Sequence, residues 1–405
     1  MSNKKKNKSK MKSKNPNKPI EKTETKKASK AKSAVMTWRI VSIVLAVALV
    51  AVSCTWVITA NNRPATTSAV ADQTEKASEA PKSAEPLSMW TESAPLKQQL
   101  TKYVDSVTDK SSADYIPVER RIAVFDMDGT LCCETDPGYF DHKLLYYRVT
   151  EDPDYKDKAS AEEKETAAVI KTYFDTGTYP EGLDVRHGAA VATAFKGMTT
   201  EQFDAYVKAY RDQPAEGYEN MTNGEAFYQP MLQVVKYLQE NDFKVYIISG
   251  TDRLITRGLV DGMIDIPLAQ MIGSDESLVG SSQGDKDGLK YTFSKDDKLI
   301  TGGKFLIKNL KTNKVSAISR EIGLQPVLCF GNSSGDEAMA NYTINNNPYK
   351  SAAFMLCCDD LVRENGNIEK ANKMRKSCEE NGYTAVSMKD DWTSIYGENV
   401  TRKQK

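Results

Sequence analysis

Several short apolar runs punctuate this chain, each ending at small or acidic residues. Arg121-Ile122-Ala123-Val124-Phe125 stops at Asp126, Lys244-Val245-Tyr246-Ile247-Ile248 stops at Ser249-Gly250, and Pro326-Val327-Leu328-Cys329-Phe330 stops at Gly331-Asn332. Ala352 to Leu356 is a fourth run. Apolar residues at consecutive positions signify strands buried on both faces, as in a parallel sheet. Between them the period changes. Met231 to Asn241 has helical apolar spacing, and Lys314 to Ile322 reads as an amphipathic helix closed by Gly323, a residue suited to a left-handed C-terminal cap. Strands alternating with helices predict a parallel α/β sheet, whose ligands bind at the carboxyl ends of the strands. Asp126, Ser249 and Gly331-Asn332 should therefore converge on one crevice.

About 100 residues separate the first two strands, too many for a simple crossover. Within them Glu162–Asp175, Gly188–Gly197 and Thr200–Asp212 all have helical spacing, so we read an inserted helical domain over 133–227, with the core formed by 93–132 and 228–405. Residues 274–303 are rich in Gly, Ser and Asp and suggest a hairpin around Lys295-Asp296-Asp297. The stretch after about residue 365 reads as a final helix and a polar tail without chemistry, and there are no internal repeats.

Upstream the pattern is different. Ile40 to Ala60 is a run of 21 residues without a charge, long enough to span a bilayer as a helix, with Trp38 and Trp56 near its ends. A formal net charge of zero conceals what precedes it: residues 1–39 hold 13 lysines and Arg39 against Glu21 and Glu24, a net of +12. Such a tail buries too little apolar surface to order itself, and beside a transmembrane segment it reads as a positive-inside signal rather than a nucleic-acid arm. The reading is a disordered cytoplasmic tail (1–39), a signal-anchor helix (40–60), a flexible Ala/Ser/Thr/Pro-rich stalk (61–92), and a domain of residues 93–405 outside the cytoplasm. A secreted form after cleavage, or lipidation at Cys54 behind Ala51-Val52-Ser53, stays open.

The domain holds Cys132, Cys133, Cys329, Cys357, Cys358 and Cys378, with no CxxC spacing, and the chain has two histidines, which argues against a structural zinc site. Disulfides are permitted outside the membrane, with 132/133 and 357/358 as candidates beside the alternative of buried thiols.

The chemistry sits at the strand ends. Phe125-Asp126-Met127-Asp128-Gly129-Thr130 places two carboxylates two residues apart directly after a strand, so that one can attack while the other moves protons. Adjacent acids repel each other and a phosphate, and a divalent cation with oxygen ligands, Mg²⁺, resolves the conflict.

A strand then DMDGT, a strand then Ser249, Lys314 opening a helix, and a strand then GNSSGD at 331–336 together resemble the four ordered motifs of the haloacid dehalogenase superfamily, over about residues 118–360. The stretch Phe195 to Thr199 and the position of the insertion are most similar to the phosphoserine phosphatase branch. The resemblance implies a Rossmann-like parallel sheet with an inserted, mainly helical cap. It also implies a phosphatase in which Asp126 is the nucleophile, Asp128 the proton donor and acceptor, Ser249 a donor to the phosphoryl group, and Lys314 the balancing charge, with Lys304, Lys308 and Lys311 as alternatives. By the same resemblance Asp126, Asp128, Asn332 and Asp336 are metal ligands, with Asn332 standing where an Asp is usual. A cap over the crevice implies a small phosphate ester as substrate. Gly250 and Arg186 are candidate substrate contacts, and His187, Tyr173 and Tyr218 could meet the leaving group. A catalytically weak ligand-binding protein and a phosphotransferase are the alternatives, and the oligomeric state is open.

Overall fold

The computed structural model describes residues 86–403. The basic tail, the apolar run 40–60 and most of the stalk lie outside the described residues, and among the described residues no helix is long and apolar enough to cross a membrane. In chain order come α1 (Pro95–Thr108), β1 (Ile122–Phe125), α2 (Phe140–Thr150), α3 (Ala161–Thr176), α4 (Leu183–Ala194), α5 (Thr200–Arg211), β2 (Tyr218–Glu219) and α6 (Gln229–Glu240). There follow β3 (Lys244–Asp252), α7 (Arg253–Val260), β4 (Met271–Gly280), β5 (Leu299–Ile307), α8 (Thr312–Ala317), β6 (Leu328–Gly331), α9 (Glu337–Ile344) and β7 (Ala352–Cys357). The last elements are α10 (Ile368–Asn381), β8 (Thr384–Ser387) and β9 (Thr401–Arg402).

The predicted α/β fold is observed. Seven strands form one sheet in the order β5-β4-β3-β1-β6-β7-β8, parallel throughout except that β5 runs antiparallel to β4. All four residues of β1 are buried: Ala123 and Phe125 join one core, Ile122 and Val124 the other. This accounts for the absence of alternation in its sequence. In register across the sheet, the Phe125 and Phe330 rings stack at 4.2 Å and Phe330 and Phe354 at 5.2 Å, fixing the height at which the strands end. β1 lies between β3 and β6, so the chain leaves it to opposite sides and opens the crevice expected at a switch in strand order.

The three helices expected between β1 and β3 are α3, α4 and α5, and α3 and α5 begin with the capping boxes Ser160/Glu163 and Thr199/Gln202. α2 was not legible because it has no apolar stripe: Asp141, His142, Lys143 and Arg148 are buried along with Phe140, Leu144, Leu145 and Val149. Arg148 is a structural centre of this layer. Its Nε donates to the Ala194 carbonyl at 2.7 Å, its Nη1 to Asp152 at 3.2 Å, and the guanidinium lies against the rings of Tyr155, Phe195 and Tyr206.

Several boundaries differ from expectation. Leu87 and Trp90 are already buried, and Trp90 Nε1 donates to the Pro230 carbonyl at 2.9 Å, so packed chain begins before the boundary drawn at residue 93. The hairpin is larger than its sequence suggested: its strands are β4 and β5, and Lys295-Asp296-Asp297 lies in the connection between them. There Asp297 accepts from the Ser282 and Ser294 amides at 2.8 and 2.7 Å, which organises the loop. The C-terminal stretch is not simply polar either. Trp392, Ile395 and Tyr396 are buried, and β9 pairs with β2 of the insertion.

Candidate functional site

The site begins where β1 ends. The Asp126 amide donates to the Phe330 carbonyl at 2.9 Å, continuing the ladder by one bond and placing the Asp126 side chain over the strand ends. Three residues on, Gly129 has φ +76°, and a Cβ there would strike the Asn332 amide and the Glu134 carboxylate. The glycine is therefore required twice, by its left-handed backbone and by the close approach of the β6 loop. Thr130 Oγ1 donates to Asp126 Oδ2 at 3.4 Å.

Lys314, in the first turns of α8, is fully buried, and its ammonium donates to Asp126 Oδ1 and, at 2.7 Å, to Asp336 Oδ1. Burial alone would push the lysine pKa down, but Asp126 and Asp336 outweigh it and hold the group charged. Asp126 is raised to about 7 by burial first and Asp336 second, against the opposing pull of Lys314. Of the four lysines weighed from sequence, Lys314 is the one bonded to Asp126.

Asp128 is held from β3. Ser249 Oγ lies at 3.5 Å from Asp128 Oδ2, and Thr251 Oγ1 donates to the same oxygen at 2.8 Å. β3 continues through Gly250 to Asp252, four residues past the apolar run that ends at Ile248, and that extension brings Thr251 in. Burial, then Asp141 and Asp126, push the Asp128 pKa well above the usual carboxylate range, which favours the protonated acid. Gly250 packs under Leu310, with no room for a side chain, and its carbonyl accepts from Ser274 Oγ at 2.6 Å. It shapes the backbone beside Ser249.

The fourth motif departs from its reading in one respect. Asp336 has both oxygens engaged: Oδ1 by Lys314, and Oδ2 by the amides of Asn332 and Ser333 and the Ser333 hydroxyl, each at 3.1 Å. It orders the loop and fixes the lysine. Facing Asn332 is Glu134, a residue the sequence did not single out because it lies outside every motif. Burial raises Glu134 to about 7, and a hydrogen bond from the Asn332 side chain partly offsets that rise. An Asp at 332 would set a carboxylate against Glu134, so the neutral residue there matches its neighbour.

The donors suit a hard divalent cation. Asp126, Asp128, Glu134 and Asp336 act on one another electrostatically in buried surroundings, and Lys314 is the only cation hydrogen-bonded to any of them among the described residues. Oxygen donors with an excess of negative charge fit Mg²⁺, with the Asp126 carboxylate, the Asp128 backbone carbonyl and Asn332 as the groups that would hold it and Glu134 beside them.

Other candidates fall elsewhere. Arg186 bonds Thr166 Oγ1 at 3.1 Å and pairs with Glu165, tying α4 to α3 rather than facing the carboxylates. Tyr218 donates to buried Glu364 at 2.6 Å, where Thr135 and Tyr396 also donate, a node joining the motif loop, the insertion and the C-terminal segment. His187 is buried against Asp141. Tyr173 alone of these lines the cavity of about 630 Å³ beside the site, with Glu134, Tyr139, Phe174 and Asn332. All six cysteines of the domain are free thiols, and the two adjacent pairs form no disulfide.

Residues 123–341 match the haloacid dehalogenase-like hydrolase family. No curated protein matches the chain. Among solved structures, a protein of unknown function from Anaerococcus prevotii is 15% identical, with 74% of this chain and 94% of that one covered and a TM-score of 0.46. Cytosolic 5'-nucleotidase IIIB bound to cytidine is 12% identical over 73% of this chain and 87% of that one, with a TM-score of 0.43. A phosphoserine phosphohydrolase-like protein from Francisella tularensis is 15% identical over 63% and 92%, with a TM-score of 0.34. At these scores the likenesses carry no argument about chemistry.

Proposed function

Since the chain belongs to the haloacid dehalogenase-like hydrolase family, we propose that it is a Mg²⁺-dependent phosphomonoester hydrolase acting on a small phosphorylated metabolite. The observation that carries this reading is the buried Lys314 ammonium bonded at once to Asp126 and Asp336 at the carboxyl end of β1. Asp126 attacks phosphorus, the bond to the ester oxygen breaks, and Asp128, held protonated, gives its proton to the departing alkoxide. Asp128 then takes a proton from water as that water attacks the aspartyl-phosphate, releasing inorganic phosphate and restoring the Asp126 carboxylate. Ser249 and Lys314 supply donors to the phosphoryl oxygens, each typically contributing about 3 kcal/mol at such sites. A bound Mg²⁺ supplies charge neutralisation for the phosphoryl oxygens.

The helical insertion α2–α5 is the cap of this reading, and the phosphoserine phosphatase-like branch is our assignment from Phe195 to Thr199 and the position of the insertion. The run 40–60 anchors the protein with its basic tail in the cytoplasm and the hydrolase domain outside, which protease treatment of intact cells tests: a domain that stays protected overturns the orientation. The decisive experiment is hydrolysis of a chromogenic aryl phosphate by the purified full chain, with and without Mg²⁺, beside Asp126→Asn. Metal-dependent turnover lost in the variant supports the hydrolase. Equal, negligible release from both favours the ligand-binding alternative, and phosphate transfer to an added alcohol marks a phosphotransferase.

A further inference from the structure

The chain contains two histidines, 45 positions apart in sequence, and the fold stacks them face to face: the rings of His142 and His187 lie 4.0 Å apart and 1° from parallel. Both are buried, on α2 and α4, and both present a ring nitrogen to the buried Asp141 carboxylate. His142 Nδ1 shares a proton with Asp141 Oδ1 across 2.7 Å. His187 is placed differently. Its Nε2 lies 3.2 Å from the Asp141 carbonyl, which accepts hydrogen bonds only, so Nε2 carries the proton of the neutral ring. Burial pushes the His187 pKa down to about 3, so the ring is neutral near pH 7.

That tautomer leaves Nδ1 of His187 with a lone pair, buried and without a hydrogen-bond partner, 3.7 Å from Asp141 Oδ2. Two electron-rich atoms then face each other with no donor between them, an arrangement expensive to bury. The gap has the width that a cation bonded to both atoms at about 2.1 Å would span. Donation of the other ring nitrogen to a backbone carbonyl is also how metal-ligating histidines are usually oriented. The charge on Asp141 reaches Asp128 and Asp252 and helps to raise both. Lys308 is the opposing cation acting on Asp141 and His187, and it hydrogen-bonds to neither.

We propose that Asp141, His142 and His187 form a second metal site, for a late first-row divalent ion such as Zn²⁺, distinct from the oxygen-lined centre at Asp126. Asp141 Oδ2 and His187 Nδ1 are in place for it. His142 joins by turning out of the stack and giving up the proton it shares with Asp141, because a ligating imidazole must be neutral with its lone pair on the ion. Two imidazoles and one carboxylate are a donor set that suits zinc. The site revises the expectation from cysteine spacing and histidine count, because those counts do not register that α2 and α4 bring the only two imidazoles together. An ion there would link these helices beside Asp128.

The test uses the untagged full chain, stripped of metal and then given Zn²⁺ in excess Mg²⁺, so that the oxygen centre is filled. The expected results are one tightly held zinc per chain, proton release on binding, and imidazole scattering in the zinc X-ray absorption spectrum, which in this protein can arise only from His142 and His187. His187→Gln and His142→Gln should each weaken zinc binding by at least about 10-fold. Because the spectrum is taken on the unsubstituted protein, the test survives a variant that fails to fold. No stoichiometric zinc, or bound zinc without imidazole scattering, overturns the proposal.

Discussion

The Thr251 hydroxyl donates to Asp128 Oδ2 at 2.8 Å, a shorter contact than the 3.5 Å from Ser249 to the same oxygen. In the proposed mechanism Thr251 would position the acid, while the Ser249 hydroxyl, whose oxygen accepts from the Thr251 amide at 3.0 Å, would donate to a phosphoryl group. Thr251→Val keeps the shape and removes the bond, which at a protonated acid is worth about 0.5–1.5 kcal/mol. We expect kcat to fall about 2- to 10-fold for alkyl phosphates. The loss should be smaller for aryl phosphates, whose leaving groups need little protonation. Equal losses for both substrate types would assign Thr251 a purely structural part.

Lys314→Met strands two buried carboxylates. Removing one partner from a buried ion pair typically costs about 3–5 kcal/mol, so the midpoint of urea unfolding should fall sharply, with turnover lost as well. The double variant Lys314→Met with Asp336→Asn should recover part of that stability without recovering turnover. Unchanged unfolding in the single variant would contradict the buried pairing.

Asn332→Asp places a carboxylate against Glu134. Without Mg²⁺ this variant should have a lower Tm than the wild type, and added Mg²⁺ should raise its Tm by more than it raises the wild type's, since the ion relieves the new repulsion. Adding Glu134→Gln should remove most of the deficit in metal-free buffer. Matching Tm values with and without the ion would show that Asn332 and Glu134 do not interact.

Glu276, on β4, is buried with neither carboxylate oxygen hydrogen-bonded, and burial followed by Asp252 raises it to about 9. A folded-state pKa above the unfolded value means that stability present at low pH is lost as pH rises through about 9. Glu276→Gln removes that dependence. Its advantage over the wild type in urea unfolding should grow from near zero at about pH 5 to about 1–3 kcal/mol at about pH 9. A pH-independent difference would be inconsistent with a buried, protonated Glu276.

Asp126 and Lys314 were legible because each follows a recognisable local signal, an apolar strand or the opening of an amphipathic helix. Thr251 was missed because β3 was expected to stop at Ser249, and no local signal shows that a strand runs on past its apolar segment. Arg186 was misplaced for the opposite reason: a cation in the insertion reads as a ligand contact until Thr166 and Glu165 are seen to occupy it.

The sequence by itself determined the parallel sheet, the order of its motifs and the acids at the end of β1, because burial on both faces leaves a consecutive apolar pattern that local reading can detect. Tertiary structure alone decided what depends on residues far apart in the chain. It set Glu134 against Asn332, bound Asp336 to Lys314, made α2 a helix with a polar interior, and stacked His142 on His187. In each case the partner's desolvation and charge fix the residue's state, and neither is encoded within a few positions of the residue itself.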